Sequence, residues 1–334
     1  MPQTKNKIYD AGIDMLRIIA IFAVVMIHTT TRELELTHYD LVHQTATLFL
    51  NQASRFAVPL FFMISGFVLE LSYSNHQNYV SYIKKRLGRI FIPYIIWTII
   101  YYFFIYTKHS GNFLDAVLTG SSSYQLYFIP ALLIFYLIYP VVHRLYGILS
   151  NKWVVAVLFA VEMYLLNYDY QFHGSPIYYP IAVFLFNYFV FLIGIIAARN
   201  REKLRKVINK AWPIFLIGAG YLAYFVFNEG RSNYLHSYNY LDFYSQWRPS
   251  ILIYTIFIFG SLYFITSRNI FNSKITKTLS SVSFFVFFVH VIVLEVVWKY
   301  VYANDALFFA SVVGISLVIG YVVHKVPYLA KISG

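Results

Sequence analysis

Two arginine positions and one histidine set the chemistry open to this sequence. In the apolar segment between Asp10 and Thr31, Arg17 and His28 are eleven residues apart. At 3.6 residues per turn this is almost three whole turns, so a helix puts both side chains on one face, about 16 Å apart along its axis. A neutral imidazole within an apolar helix can act as general base on a sugar hydroxyl, or as a nucleophile that briefly holds an acyl group. The bland alternative is a buried histidine bonded to a backbone carbonyl of a neighbouring helix. Asp14 is three residues before Arg17 on the same face, where the two can pair. His28, Arg17 and Asp14 are the catalytic candidates.

A second cluster is KKRLGRIFIP, from Lys84 to Pro93. Arg86 and Arg89 are spaced i and i+3, so both guanidinium groups project from one face and can fork onto phosphate oxygens. Such a cluster also arises simply as a membrane-topology signal. Arg55, in NQASRFAVPLFFMISGF, lies where topology does not require a cation, and a carboxylate partner or an anionic substrate is expected for it.

These residues need a scaffold that crosses a bilayer. Of the 334 residues, 59% are hydrophobic and 12% charged, against about 45–50% and about 25% in soluble domains. The expected fold is an all-α polytopic membrane protein, a bundle of about ten transmembrane helices forming one domain over residues 1–334, with no appended soluble domain. Apolar runs begin near Ile13, Leu48, Ile90, Leu126, Trp153, Ile177, Trp212, Ser250, Ser280 and Asp305. Lysine and arginine gather on alternate loops, including Lys84 to Arg89 and Arg199 to Lys210. The positive-inside rule then puts both termini in the cytoplasm. The formal charge of +12 follows this bias, and the expected partner is the lipid bilayer, with no nucleic acid. Asp14 and Arg17 inside the first segment, and Thr-Thr-Thr-Arg-Glu after it, mark a permanent span rather than a cleaved signal.

Asp14-x-Leu16-Arg17, ten residues and His28, then Ser54 to Phe67, then Arg86-x-x-Arg89 before Ile-Pro, together resemble the acyltransferase 3 family of integral membrane O-acyltransferases. The likeness extends over nearly the whole chain and is sharpest in the first ninety residues. Tyr124 to Pro140 resembles a family stretch with tryptophan where this chain has Tyr127. Ser283 to Ile292 resembles the family's late Tyr-Leu-x-His-Pro stretch, with Phe287 in place of the tyrosine and Val291 in place of the proline, around His290. The resemblance implies transfer of an acyl group, most often acetyl, from cytoplasmic acetyl-CoA to a glycan or lipid-linked sugar hydroxyl on the outer side of a bacterial cytoplasmic (inner) membrane. It implies that Arg86 and Arg89, with Arg17, hold the CoA phosphates, and that the thioester meets His28.

Cysteine is absent, which removes thiolate chemistry. There is no Walker loop, dinucleotide glycine pattern, zinc-protease helix or nucleophile elbow. No metal is expected, His38, Asp40 and His43 being read as a solvated loop. The tyrosine-rich stretch from Asn228 to Pro249, with Arg231, Trp247 and Arg248, suits either sugars or a membrane-interface belt. Glu295, at a depth similar to His28, is expected to orient that imidazole or to pair with Arg55. The competing reading is a polysaccharide or lipid-linked sugar exporter, which needs polar groups spread along several helices.

Overall fold

In hydrocarbon every backbone polar group must be satisfied internally, so a chain this apolar is confined to helices or a closed barrel. The computed structural model describes residues 10–36, 41–73, 78–106, 111–172, 179–236, 245–267, 273–301 and 304–326, and contains no strand among them. Helix α1 runs Ala11–Leu36, α2 Leu41–Ala53, α3 Ala57–Ser72 and α4 Tyr79–Ile100, which continues into a π-helical turn. Short α5 (Phe113–Thr119) precedes α6 (Phe128–Arg144), α7 (Tyr146–Leu149) and α8 (Lys152–Phe172). Then come α9 (Tyr179–Leu185), α10 (Tyr188–Arg199), α11 (Arg201–His236), α12 (Pro249–Thr266), α13 (Lys274–Tyr300) and α14 (Asp305–Lys325).

Helices lie near the expected span starts among the described residues, but fewer than ten of them have the length and hydropathy needed to cross a membrane. Among the described residues seven helices are long and apolar enough to cross a membrane, and α9 with α10, bent by 48°, makes an eighth if it is one span. Helix α6 is apolar but has only 17 residues. The first part of the tyrosine-rich stretch that starts at Asn228 is helical, because α11 continues to His236.

Contacts between helix ends define two faces. On one, the start of α1 meets the start of α13, and Glu70, His143 and Arg199 bring together the ends of α3, α6 and α10. On the other, Arg32 of α1 pairs with Glu295 of α13, and Thr47 of α2 bonds Asp305 of α14. The basic residues Arg17, Arg86 and Arg199 belong to the first face.

The centre of the bundle is the crossing of α3 and α10. A Cβ added at Gly66 would lie 2.2 Å from the Phe191 carbonyl oxygen, and one at Gly194 would lie 2.0 Å from that of Met63. Two glycines thus let the backbones touch, and dispersion across that contact replaces the hydrophobic drive that lipid removes. The bend before α10 is capped from outside. The fully buried Glu162 of α8 accepts the Phe189 N–H at 2.6 Å, and Asn187 donates to the Val183 carbonyl at 2.8 Å. A carboxyl oxygen there meets a donor that the broken helix leaves without its usual partner.

Because the atoms opposing Gly194 are backbone, no side-chain motion can relieve an added group. Gly194→Val should therefore cost at least the ~1–3 kcal/mol typical of overpacking. A lowered unfolding temperature in detergent, compared with a lipid-facing control such as Ile217→Val, is the measurement that checks it.

Candidate functional site

On α1 the pattern of apolar residues buries one face in the bundle and carries Arg17 and His28 along it. At the lower end Arg17 Nη1 donates to Asp14 Oδ1 at 3.1 Å and to Ser280 Oγ at 2.9 Å, while Ser280 donates to the same carboxylate oxygen at 2.7 Å. The triangle ties α1 to α13 and partners a cation and an anion that lipid would reject singly. Asp14 and Arg17 therefore pair, as their spacing allows, and a serine from the far end of the chain completes the pair.

Beside the triangle opens a cavity of about 360 Å³. Arg17, Arg86 and Arg89 all line it, with Ser280, Ser281 and His324. Arg86 donates to Ser72 Oγ, and its guanidinium stands 5.9 Å from the Tyr82 ring centroid. Three guanidinium groups from two helices thus share one opening, a chemistry suited to phosphate oxygens. The other wall is apolar, from Ile64 and Leu132 to Phe128 and Phe287.

Phe287 connects this cavity to His28. Its ring lies 5.6 Å from Phe128 and 6.4 Å from His290, and His290 stacks on His28 with centroids 5.3 Å apart and planes 28° apart. Tyr124 covers the imidazole of His28 from another direction at 4.7 Å. His28 is half-buried, and it makes no hydrogen bond to a described residue. The neighbour, His290, is bonded to its own helix, with Nδ1 3.0 Å from the Val286 carbonyl oxygen. Helix α13 is itself held to α4 by Tyr101, which donates to the Phe288 carbonyl at 2.6 Å.

One expectation about partners is corrected. Glu295 pairs with Arg32 at 3.2 Å rather than with His28 or Arg55. Arg55, only 4% exposed, bonds the Asn51 side-chain oxygen through Nε at 3.1 Å and Nη2 at 2.6 Å. Asn51 in turn donates to the Ile27 carbonyl and to the Thr30 and Thr31 hydroxyls, bracketing His28. Sequence reasoning missed Asn51, Ser280 and Tyr124. The signal for Asn51 was present, as a carboxamide four residues before a cation in an apolar run.

In the outer stretch, Arg248 is fully buried, pairs with Glu229 at 3.2 Å and donates to Gln52. Trp247 packs on Phe186, and Tyr127, which stands where tryptophan was expected, accepts from Gln246. These groups hold α2, α11 and α12 together. Residues 237–244 of that stretch, with His38 and Asp40, are outside the described residues, as is the side chain of His43. Among the described residues no group of three or more His, Asp or Glu is arranged to hold a metal.

A helical bundle with an arginine-lined cavity on one side, and a pair of stacked imidazoles beyond the Phe287 ring in its wall, has the architecture of a polytopic membrane protein. The family model described as "Acyltransferase domain" matches residues 10–325, and the chain belongs to this acyltransferase 3 family. It is a membrane acyltransferase. Staphylococcus aureus proteins named "Probable poly-beta-1,6-N-acetyl-D-glucosamine export protein" are similar to it, the MSSA476 form at 22% identity over 95% of this chain and 97% of its own length. YfiQ of Bacillus subtilis, provisionally named a membrane-bound acyltransferase, is 23% identical over 83% of this chain and 78% of its own. An Enterococcus faecalis protein named "Amino-acid racemase" is 28% identical over 69% of this chain but only 35% of its own length. No solved structure matches significantly.

Asn51→Leu removes an acceptor from a buried guanidinium and three bonds to the helix that carries His28. An unsatisfied buried charged group costs more than the ~1–3 kcal/mol of a neutral one. Lowered thermal stability together with lowered turnover is the expected result; unchanged values for both would show that Asn51 does not support the site.

Proposed function

We propose that this membrane acyltransferase takes an acetyl group from cytoplasmic acetyl-CoA and delivers it to a hydroxyl of a cell-surface or lipid-linked polysaccharide on the outer side of a bacterial cytoplasmic membrane. The observation that carries the reading is the cavity, with Arg17, Arg86 and Arg89 at its opening and Phe287 at its inner wall, one ring away from the two imidazoles. In this reading the arginines hold the phosphates and diphosphate of the donor, and the pantetheine arm follows the apolar wall. Movement of Phe287 brings the thioester to His28. Asp14 and Ser280 keep Arg17 aimed at the opening instead of folding into the bundle.

The acceptor side rests on different support. Tyr124 and the half-exposed face of His28 give an aromatic surface beside a base, which suits a pyranose ring. The Staphylococcus relatives are named for a polymer of N-acetylglucosamine, so a surface polysaccharide is the acceptor class that joins their name to the family's chemistry. The exporter reading requires polar side chains lining a path between both faces. The polar groups here form separate knots instead, the Arg17 triangle on one side and the Asn51 and Glu229 clusters on the other.

Purified protein in nanodiscs with radiolabelled acetyl-CoA tests the assignment. Removing Arg86 and Arg89 together should raise KM for acetyl-CoA by about 10- to 100-fold, from the loss of charge-assisted bonds. His28→Ala should leave donor affinity near that of the wild type and reduce turnover by about 10²- to 10⁴-fold. A wild-type protein that neither binds nor consumes acetyl-CoA would remove the donor assignment.

A further inference from the structure

His290 is placed where a structural histidine has no reason to leave a nitrogen bare. Its side chain is fully buried. A carbonyl oxygen only accepts, so the 3.0 Å contact of Nδ1 with Val286 puts the ring proton on Nδ1. The other nitrogen, Nε2, then carries a lone pair, and it is a buried atom with no hydrogen-bond partner. Leaving such an atom unpaired is costly and uncommon in a finished structure.

The stacking with His28 decides what that lone pair can do. With Nδ1 on the Val286 carbonyl and Nε2 without a partner, the His290 ring, 5.3 Å from that of His28 between centroids, makes no hydrogen bond to it. His290 thus does not orient His28 as a carboxylate would. It adds a second, independent basic nitrogen at the same spot, beside a histidine that itself has no hydrogen bond to a described residue.

We infer that the two histidines divide the transfer, His28 receiving the acyl group and His290 acting as the catalytic base on the acceptor hydroxyl. This rests on the acyltransferase reading above. In the first step a His28 nitrogen forms a bond to the thioester carbonyl carbon and the carbon–sulfur bond breaks, releasing CoA thiolate and leaving an acyl-imidazolium. In the second, the acceptor oxygen bonds to that carbon, its proton passes to His290 Nε2, and the bond to His28 breaks to restore a neutral imidazole. His290 then returns its proton, which is taken up by the thiolate, so acyl-CoA and alcohol become ester and CoA with nothing left over. An acylated His28 has no lone pair to deprotonate the alcohol. The bare nitrogen of His290 supplies the base for that step.

The test is single- and multiple-turnover kinetics with radiolabelled acetyl-CoA and the full chain in nanodiscs, with water and a β-1,6-linked N-acetylglucosamine oligomer as hydroxyl probes. Wild type should release about one equivalent of CoA in a burst, followed by a slower steady phase. His290→Gln should keep the burst and acetyl-CoA affinity, lose the steady phase by about 10²-fold or more, and accumulate acetyl on His28, read by mass spectrometry. His28→Ala should show no burst. A His290→Gln protein that turns over like wild type, or that binds acetyl-CoA normally yet has no burst, overturns the division. If His290→Gln fails to bind acetyl-CoA, His290→Asn replaces it, and the wild type alone remains decisive. Wild-type turnover without a burst or an acetyl-enzyme refutes the two-step division and leaves the acyltransferase reading standing, whereas no consumption of acetyl-CoA at all removes both.

Discussion

A charge inside a bilayer is tolerated only where the protein supplies its partner, and the seam between α1 and α13 is built on that requirement. Arg17 faces a cavity that needs a cation, so it must be held at the surface of the bundle without being neutralised into it. Asp14 offsets the charge, and Ser280 donates to Asp14 while accepting from Arg17. With the lower end of the seam fixed, the two helices run together to the level where His28 and His290 stack. The imidazole pair is therefore a consequence of a contact made about three turns away.

The rest of the bundle keeps that seam in place. The glycine crossing of α3 and α10 gives a rigid centre, and Tyr101 holds α13 to α4, the helix that brings Arg86 and Arg89 to the cavity. The two ends of the site differ in kind because their tasks differ. The opening is charged and accessible, with Arg89 exposed, whereas the far end is aromatic, with His290 buried and His28 and Tyr124 partly open.

Much of this was legible in the sequence, and the reason is the same in each case. Composition requires helices, because lipid leaves no other solution for this backbone. Spacing alone puts Arg17 and His28 on one face, and Arg86 and Arg89 on another, because both are properties within a single helix. What spacing along a helix does not contain is rotation about it relative to the neighbours. Counting residues put Glu295 near the depth of His28, but its side chain is turned to Arg32. The same limit hid the meeting of His28 with His290, which depends on how helices at opposite ends of the chain pack. Arg55 was read as a cation needing a carboxylate or an anionic substrate, and spacing did not show that the carboxamide of Asn51, bonded on its other side to α1, would be one of its partners.

The closure of the Arg17 triangle by Ser280 also has a consequence in time. The two residues are 263 positions apart, so at about 5–20 residues per second a ribosome takes roughly 13 to 50 s to make the second after the first. Throughout that interval Arg17 has Asp14 beside it but not Ser280, and α13, which carries His290, does not yet exist. The seam between α1 and α13 therefore closes only when the late spans are synthesised.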